Sequence, residues 1–281
     1  MLGGSLALAI KRRQLAGRVV AWVRREAAQT ECRKLEIADV VTQNLKEAVQ
    51  GSELVILCTP LSQMAGLAGQ MRPYLQRGGI LTDVGSVKGT VVRELEPLAR
   101  QGGAEFVGSH PMAGSEKTGV AAARADLFEN AICLVTPGRS SPVAAVVKVE
   151  EFWQAVGGFP LRLTPEAHDD LVSRSSHLPH VVAAELANYV LSPVHPKEQA
   201  QVCANGFRDT TRIAAGSPEM WRDIALANRQ NLSRVLGVFI EDLQEFQFAL
   251  ERQDVTAIEE FFSKAKQRRD HWHAQSASLP E

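Results

Sequence analysis

Cysteine is scarce and scattered in this chain. There are four, Cys32, Cys58, Cys133 and Cys203, without a C-x-x-C spacing, and Cys58 and Cys133 lie inside apolar runs. That pattern excludes a disulfide framework and suits a reducing compartment. An excess of charge is missing too: 31 Lys and Arg against 32 Asp and Glu leave a net charge of -1. No field gathers a polyanion, so nucleic acid and anionic membrane are excluded as main partners and a small-molecule substrate is expected. No apolar window reaches the roughly eighteen residues of a membrane span. The opening "MLGGSLALAIKRR" carries Lys11, Arg12 and Arg13 after its apolar stretch, the reverse of a secretory signal. The chain is therefore read as cytoplasmic. It contains neither an internal repeat nor a low-complexity segment.

What is present changes character near Thr164. Up to about residue 163, the apolar runs "RVVAWVRR", "ELVILCTP", "GGILTDVGS", "AEFVGSHP", "NAICLVTP" and "FPLRLT" alternate with amphipathic stretches such as "LSQMAGLAGQMRPYL" and "VKGTVVRELEPLARQ". Continuous apolar runs separated by helices predict an α/β domain with a doubly wound, mostly parallel sheet whose ligands sit at the carboxyl ends of the strands. From Thr164, which fits a helix N-cap before Pro165, the pattern turns helical, first to about Leu191 and then through most of the remainder. The expected organisation is a dinucleotide-binding domain over residues 1–163 and an all-helical substrate and dimerisation domain over 164–281.

The opening raises its own expectation. In dinucleotide-binding folds a G-x-G-x-x-G turn joins the first strand to a helix whose N-terminus faces the pyrophosphate. Gly3 fits the third glycine, which permits close helix and sheet packing, yet no strand comes before it. The expectation is a start assigned too far downstream, with an in-frame apolar run ending in Gly-x-Gly just upstream in the gene. At the end of the next strand, "AWVRRE" offers Arg24 and Arg25 where an NAD site places an acid, which points to NADP over NAD.

Four polar segments interrupt this frame: "TDVGSVKG", "VGSHPMAGSEKTG", "SSHLPH" and "NGFRDTTRIAAGSPEMWRDI". Together, and in this order, they resemble the prephenate and arogenate dehydrogenase family from Gly3 to about Arg229. The resemblance implies NAD(P)-dependent oxidative decarboxylation in tyrosine biosynthesis. A ring hydroxyl is deprotonated, hydride leaves the same carbon for the nicotinamide, and the ring carboxylate departs as carbon dioxide. It implies His110 as catalytic base, which suits a neutral imidazole. Ser86 is the serine beside it, and Arg212 is the carboxylate clamp, a role a planar guanidinium fills with two parallel hydrogen bonds. Asp209 is expected to hold Arg212, and Ser176, His180 and Glu116 to line the substrate pocket. Trp221 matches a residue that family members reach across from a partner subunit. Thr59 and Pro60, ending "ELVILCTP", are expected at the cofactor. A homodimer through the helical half is implied as well.

His177 and His180 stand three apart, but Pro179 between them and the absence of a nearby carboxylate or cysteine in ligand spacing argue against a metal. Two other readings were weighed. A dehydrogenase of the 3-hydroxyacid type needs a lysine in its helical domain, and none follows Thr164 until Lys197. A cofactor-blind, inactive dicarboxylate binder is opposed by the joint presence of His110, Ser86 and Arg212. Between prephenate and arogenate, the loop "RIAAGSPE" leans slightly to prephenate or to both.

Overall fold

A computed structural model of the chain describes residues 1–114 and 119–276. The chain divides into two compact units, residues 1–229 and 230–281. The first opens with α1 (Leu2–Arg12), β1 (Val20–Trp22), α2 (Glu26–Lys34), β2 (Val40–Thr42) and α3 (Leu45–Val49). It continues with β3 (Leu54–Leu57), α4 (Leu61–Met71), β4 (Ile80–Asp83), α5 (Gly89–Gln101), β5 (Glu105–Pro111), β6 (Ile132–Pro137), α6 (Val143–Ala155) and β7 (Phe159–Arg162). All six apolar runs become strands; β2, with only Val40 and Val41 as its apolar run, carries too little pattern to be read from sequence.

The strands β3, β4 and β5 are parallel, β6 joins β5 antiparallel, and β7 is parallel to β6. Each face is covered. Met64, Leu67 and Met71 of α4 and Val91, Leu95 and Ala99 of α5 close one core over Leu57, Leu81 and Phe106. Leu6 and Ala9 of α1 and Val146, Val149 and Trp153 of α6 close the other over Val107 and Val135. The recurrence of apolar residues on a single helical stripe is what directs each helix onto the sheet.

The parallel pair β1 and β2 forms a separate sheet. No ladder joins β1 to β3 among the described residues. Between them lies a cavity of about 910 Å³, lined by Val20, Ala21 and Trp22 of β1, Leu54 to Leu57 of β3, and Leu6, Ala7 and Ile10 of α1. Gly3 lies over the end of β3, where a Cβ would stand 3.1 Å from Cys58 Cβ, so glycine sets how closely α1 approaches the sheet.

Thr164 Oγ1 caps the next helix by accepting from Ala167 N at 3.1 Å. The helix expected from there to Leu191 comes in three pieces: α7 (Pro165–Val172), one π-helical turn over Ser173–His177, and α8 (Leu178–Val190). Pro179 has no N–H to donate and its ring crowds the preceding carbonyl, and the wider turn accommodates both. The unit ends with α9 (Glu198–Gln201), α10 (Asn205–Thr211), a 3₁₀ turn at Arg212–Ala215, and α11 (Pro218–Ala227), capped by Ser217.

The second unit contains α12 (Arg229–Glu251) and α13 (Val255–Ser276). The Phe246 ring meets Phe261 and Phe262, with centroids 4.5 and 5.7 Å away. Val238, Ile240, Leu243, Phe248, Phe262 and Trp272 are exposed. Among the described residues, no helix is long and apolar enough to cross a membrane.

Candidate active site

The site is built at the carboxyl ends of β4 and β5. β4 ends in Asp83, which is fully buried and pairs with the equally buried ammonium of Lys88. Charges this deep persist only when their hydrogen bonds are satisfied. Here Asp83 accepts from Gly85 N at 2.8 Å and Ser109 N at 3.2 Å, and Lys88 Nζ donates to Ser109 O at 2.7 Å. Ser109 Oγ donates in turn to Asp83 O at 2.6 Å. The β4 to α5 loop, with Ser86 in it, is thus fastened to β5 at the residue before His110.

His110 is buried, and its Nδ1 lies 2.9 Å from His168 Nε2. Burial, reinforced by the neighbouring His168, Lys88 and His177, holds the His110 imidazole well below its usual pKa. It is neutral in neutral solution, as a base must be. His168 belongs to α7, and its Nδ1 lies 2.8 Å from Asp169 Oδ1. Asp169 also accepts from Lys88 N at 2.7 Å and Gly89 N at 2.8 Å. Its carboxylate therefore caps the N-terminus of α5, where negative charge is favoured. Ser86 lies three residues ahead of that helix, half-buried.

The π-helical turn and α8 supply the opposite wall. His177 Nδ1 lies 3.2 Å from Asn228 Nδ2, which also donates to Asp169 O at 2.8 Å. Desolvation carries the His177 imidazole down to about 4, and the Ser86 backbone faces its ring. His180 Nδ1 lies 2.9 Å from Ser176 O. Its ring stacks on Trp221, with centroids 3.7 Å apart and planes at 29°. Trp221 also meets His177 edge-on at 6.1 Å. Trp221 thus packs on His177 and His180 of its own chain. Its indole Nε1 is buried with no hydrogen-bond partner among the described residues.

Arg212 is exposed at the start of the 3₁₀ turn that packs on α8, and its charge adds to the burial that lowers the His180 imidazole. Asp209 is exposed on α10, three positions before Arg212. Glu116 lies outside the described residues.

On the nucleotide side, Thr59 and Pro60 follow β3, with Pro60 in the N-cap position of α4. Thr59 Oγ1 is buried without a hydrogen-bond partner among the described residues. Such an orphan at a strand's carboxyl end fits a dinucleotide, which would satisfy it. Arg24 and Arg25 are exposed beyond the end of β1, and Gly3 sits in the first turn of α1. These are the residues available to hold a nicotinamide dinucleotide.

His168, Asp169, Lys88, Asp83 and Asn228 were not foreseen. The readable signal was "EAHDD", a His-Asp pair one helical turn before the apolar Val172, on the buried face of α7.

Residues 6–159 match the family model described as prephenate dehydrogenase, nucleotide-binding domain, and residues 164–264 match its dimerization domain. Cyclohexadienyl dehydrogenase of Zymomonas mobilis is 34% identical over 96% of this chain and 92% of its own length. Prephenate dehydrogenase of Bacillus subtilis is 33% identical over 96% of this chain and 73% of its own. Among solved structures, prephenate dehydrogenase of Aquifex aeolicus in complex with hydroxyphenyl propionate and NAD+ superposes with a TM-score of 0.89. It is 30% identical, and the match covers 96% of this chain and 94% of that one. A buried, neutral histidine at the carboxyl end of β5, a nucleotide-binding fold and these likenesses converge: the chain belongs to the prephenate dehydrogenase family, a family of NAD(P)-dependent dehydrogenases.

Proposed function

We propose that the chain oxidatively decarboxylates prephenate, accepting arogenate as a second substrate. The observation that carries the reading is His110, a buried, neutral imidazole at the carboxyl end of β5. His110 takes the proton of the ring hydroxyl, and Ser86 orients that hydroxyl. As the carbon–oxygen double bond forms, hydride leaves the carbon; the ring carboxylate then departs as carbon dioxide, its electron pair passes through the ring back to that oxygen, and the now aromatic phenolate takes the proton back from His110. A bound nicotinamide supplies the hydride acceptor. Arg212 grips a substrate carboxylate, Asp209 orients Arg212, and Ser176, His180, Trp221 and Glu116 line the pocket.

Gly3, Thr59 and Pro60 hold the dinucleotide, and Arg24 and Arg25 favour NADP because a ribose phosphate needs cations where a free hydroxyl needs an acid. Residues 1–163 act as the nucleotide domain and 164–281 as the substrate and dimerisation domain of a cytoplasmic homodimer. The exposed apolar side chains of α12 and α13 support the dimer; a monomer by light scattering would remove it. The decisive test mixes the chain with prephenate and NADP and follows nicotinamide reduction together with carbon dioxide release. His110→Asn should lower kcat by about 10²–10⁴-fold with little change in KM, and an unchanged kcat rejects the base.

A further inference from the structure

Beside the base stands a pair of buried side chains, of which Asp169 has the structural task of capping α5 and His168 has none evident. His168 and Asp169 are adjacent on α7, and His168 lies between Asp169 and His110. The hydrogen-bond pattern determines where each proton sits. Asp169 already accepts backbone N–H bonds on both oxygens, from Lys88 and from Gly89. An ionised carboxylate has no proton to give, so the bond to His168 Nδ1 requires the proton on that nitrogen. A neutral His168 then has a bare Nε2, which can only accept. His110 must therefore donate from Nδ1, and its own Nε2 keeps the lone pair.

We propose that His168 and Asp169 are positioning residues that fix His110 in the tautomer whose Nε2 is free to take the substrate proton. The inference rests on His110 being the base, and it adds what makes that histidine a base in one direction only. The alternative is a doubly protonated His168, which would turn His110 Nδ1 into the acceptor and load its Nε2 with a proton. Burial opposes that state: His168 is fully buried, and desolvation pushes its imidazole down despite the pull of Asp169. The charged groups around the pair are Lys88 on the α5 side and Asp83 from β4, which neutralise one another, and Asp169 itself; His177 of the π-helical turn is neutral. The arrangement follows the logic by which a buried carboxylate, through a hydrogen bond to one imidazole nitrogen, sets the tautomer for catalysis at the other. Here a second imidazole is interposed, so the carboxylate reaches the base while remaining available to cap α5.

Two measurements test this on the full chain. Long-range proton–nitrogen NMR of the imidazoles should show His110 with a protonated Nδ1 and an unprotonated Nε2; the opposite tautomer overturns the proposal without any reference to activity. In kinetics, His168→Leu should lower kcat roughly 10²-fold or more while KM changes little. His168→Gln, whose amide oxygen can accept the same hydrogen bond, should recover most of the loss. Gly89→Ala offers a separate probe, because its Cβ would stand 2.8 Å from Asp169 Oδ2 and displace the carboxylate without removing it. It should lower kcat in the same sense. Wild-type kcat and pH profile in His168→Leu would overturn the proposal. If instead His110→Asn were fully active while the NMR tautomer stood, the base assignment would fall and the tautomer reading would survive, so the two are separable.

Discussion

Inserting a strand between β1 and β3 should stabilise the first unit substantially. The cavity of about 910 Å³ is flanked by two strands that no ladder joins, and it is lined by apolar side chains of both strands and of α1. Met1 lines it as well, beside Cys58, just past the end of β3, so an extension ending at Met1 would run parallel to β3. The perturbation is an N-terminal extension of about five valines and isoleucines closed by Gly-x-Gly. Burying such side chains contributes roughly 1.5–3 kcal/mol each, and about five ladder hydrogen bonds contribute roughly 1 kcal/mol each. Ordering costs roughly 1–2 kcal/mol per residue for backbone and about 0.5–1 for side chains. Pairing on both sides, with β1 as well as β3, adds about five further ladder hydrogen bonds, and mid-range values over all of the roughly eight ordered residues, Gly-x-Gly included, leave about 5 kcal/mol, with the burial part an upper bound. At roughly 2–4 °C per kcal/mol for a unit of this size, Tm should rise about 10–20 °C. The extension also replaces a partly desolvated terminal ammonium, already pushed below its usual pKa by burial, with a neutral amide. Thermal unfolding of the extended chain, compared with a Gly/Ser extension of equal length, is the assay. Equal Tm for the two extensions would refute the reasoning.

Gly3→Val should destabilise by about 1–3 kcal/mol, because its Cβ already meets Cys58 Cβ at 3.1 Å; chemical denaturation checks this. Replacing Arg24 and Arg25 together by Ala should raise KM for NADP about 10-fold or more while leaving that for NAD nearly unchanged, and equal effects on both would discard the phosphate role. His177 has a folded pKa of about 4, below the roughly 6.5 of an unfolded imidazole. The unfolded state therefore binds the proton first as pH falls, and stability should drop from about pH 6.5 downward, by about 2 kcal/mol at about pH 5. Urea melts with His177→Phe should show a shallower dependence. His110 is likewise held low, so kcat/KM should persist to pH values well below the usual imidazole range before its acid limb appears; a limb at the ordinary value would contradict its burial.

Much of the frame is legible because period and punctuation survive in the sequence. Thr164 and Pro165 mark the start of α7, and the apolar runs mark β1 and β3 through β7. Strand β2 is lost because its apolar run is only Val40 and Val41, between Asp39 and Thr42, whereas the equally short β1 lies in the longer apolar run of residues 19–23. The π-helical turn is hidden because its cause, Pro179, lies in the helix that follows it. The site divides in the same way. His110, Ser86, His180 and Trp221 lie in recognisable motifs, whereas Asp83, Lys88, His168 and Asp169 act through contacts between segments up to 81 positions apart, as between Lys88 and Asp169. No local spacing encodes such a meeting. Trp221 is legible in its motif, but its stack on His180, 41 positions earlier, is not.

The charges beneath the site explain why its histidines stay neutral while an anion is still welcome. A buried lysine near three imidazoles would draw any anion to the wrong place. Lys88 is instead matched to Asp83, and the second carboxylate, Asp169, is absorbed by the N-terminus of α5. Neither carboxylate is left to hold a proton on His110, and no positive charge is left in the interior. The positive charge at the pocket belongs to Arg212, exposed on the turn that packs against α8. A dicarboxylate met there by Arg212 would bring negative charge toward His110 and raise its proton affinity as the complex forms. On the proposed reading, the base is thus weak in the free protein, where a stray proton would silence it, and strengthens when the substrate arrives.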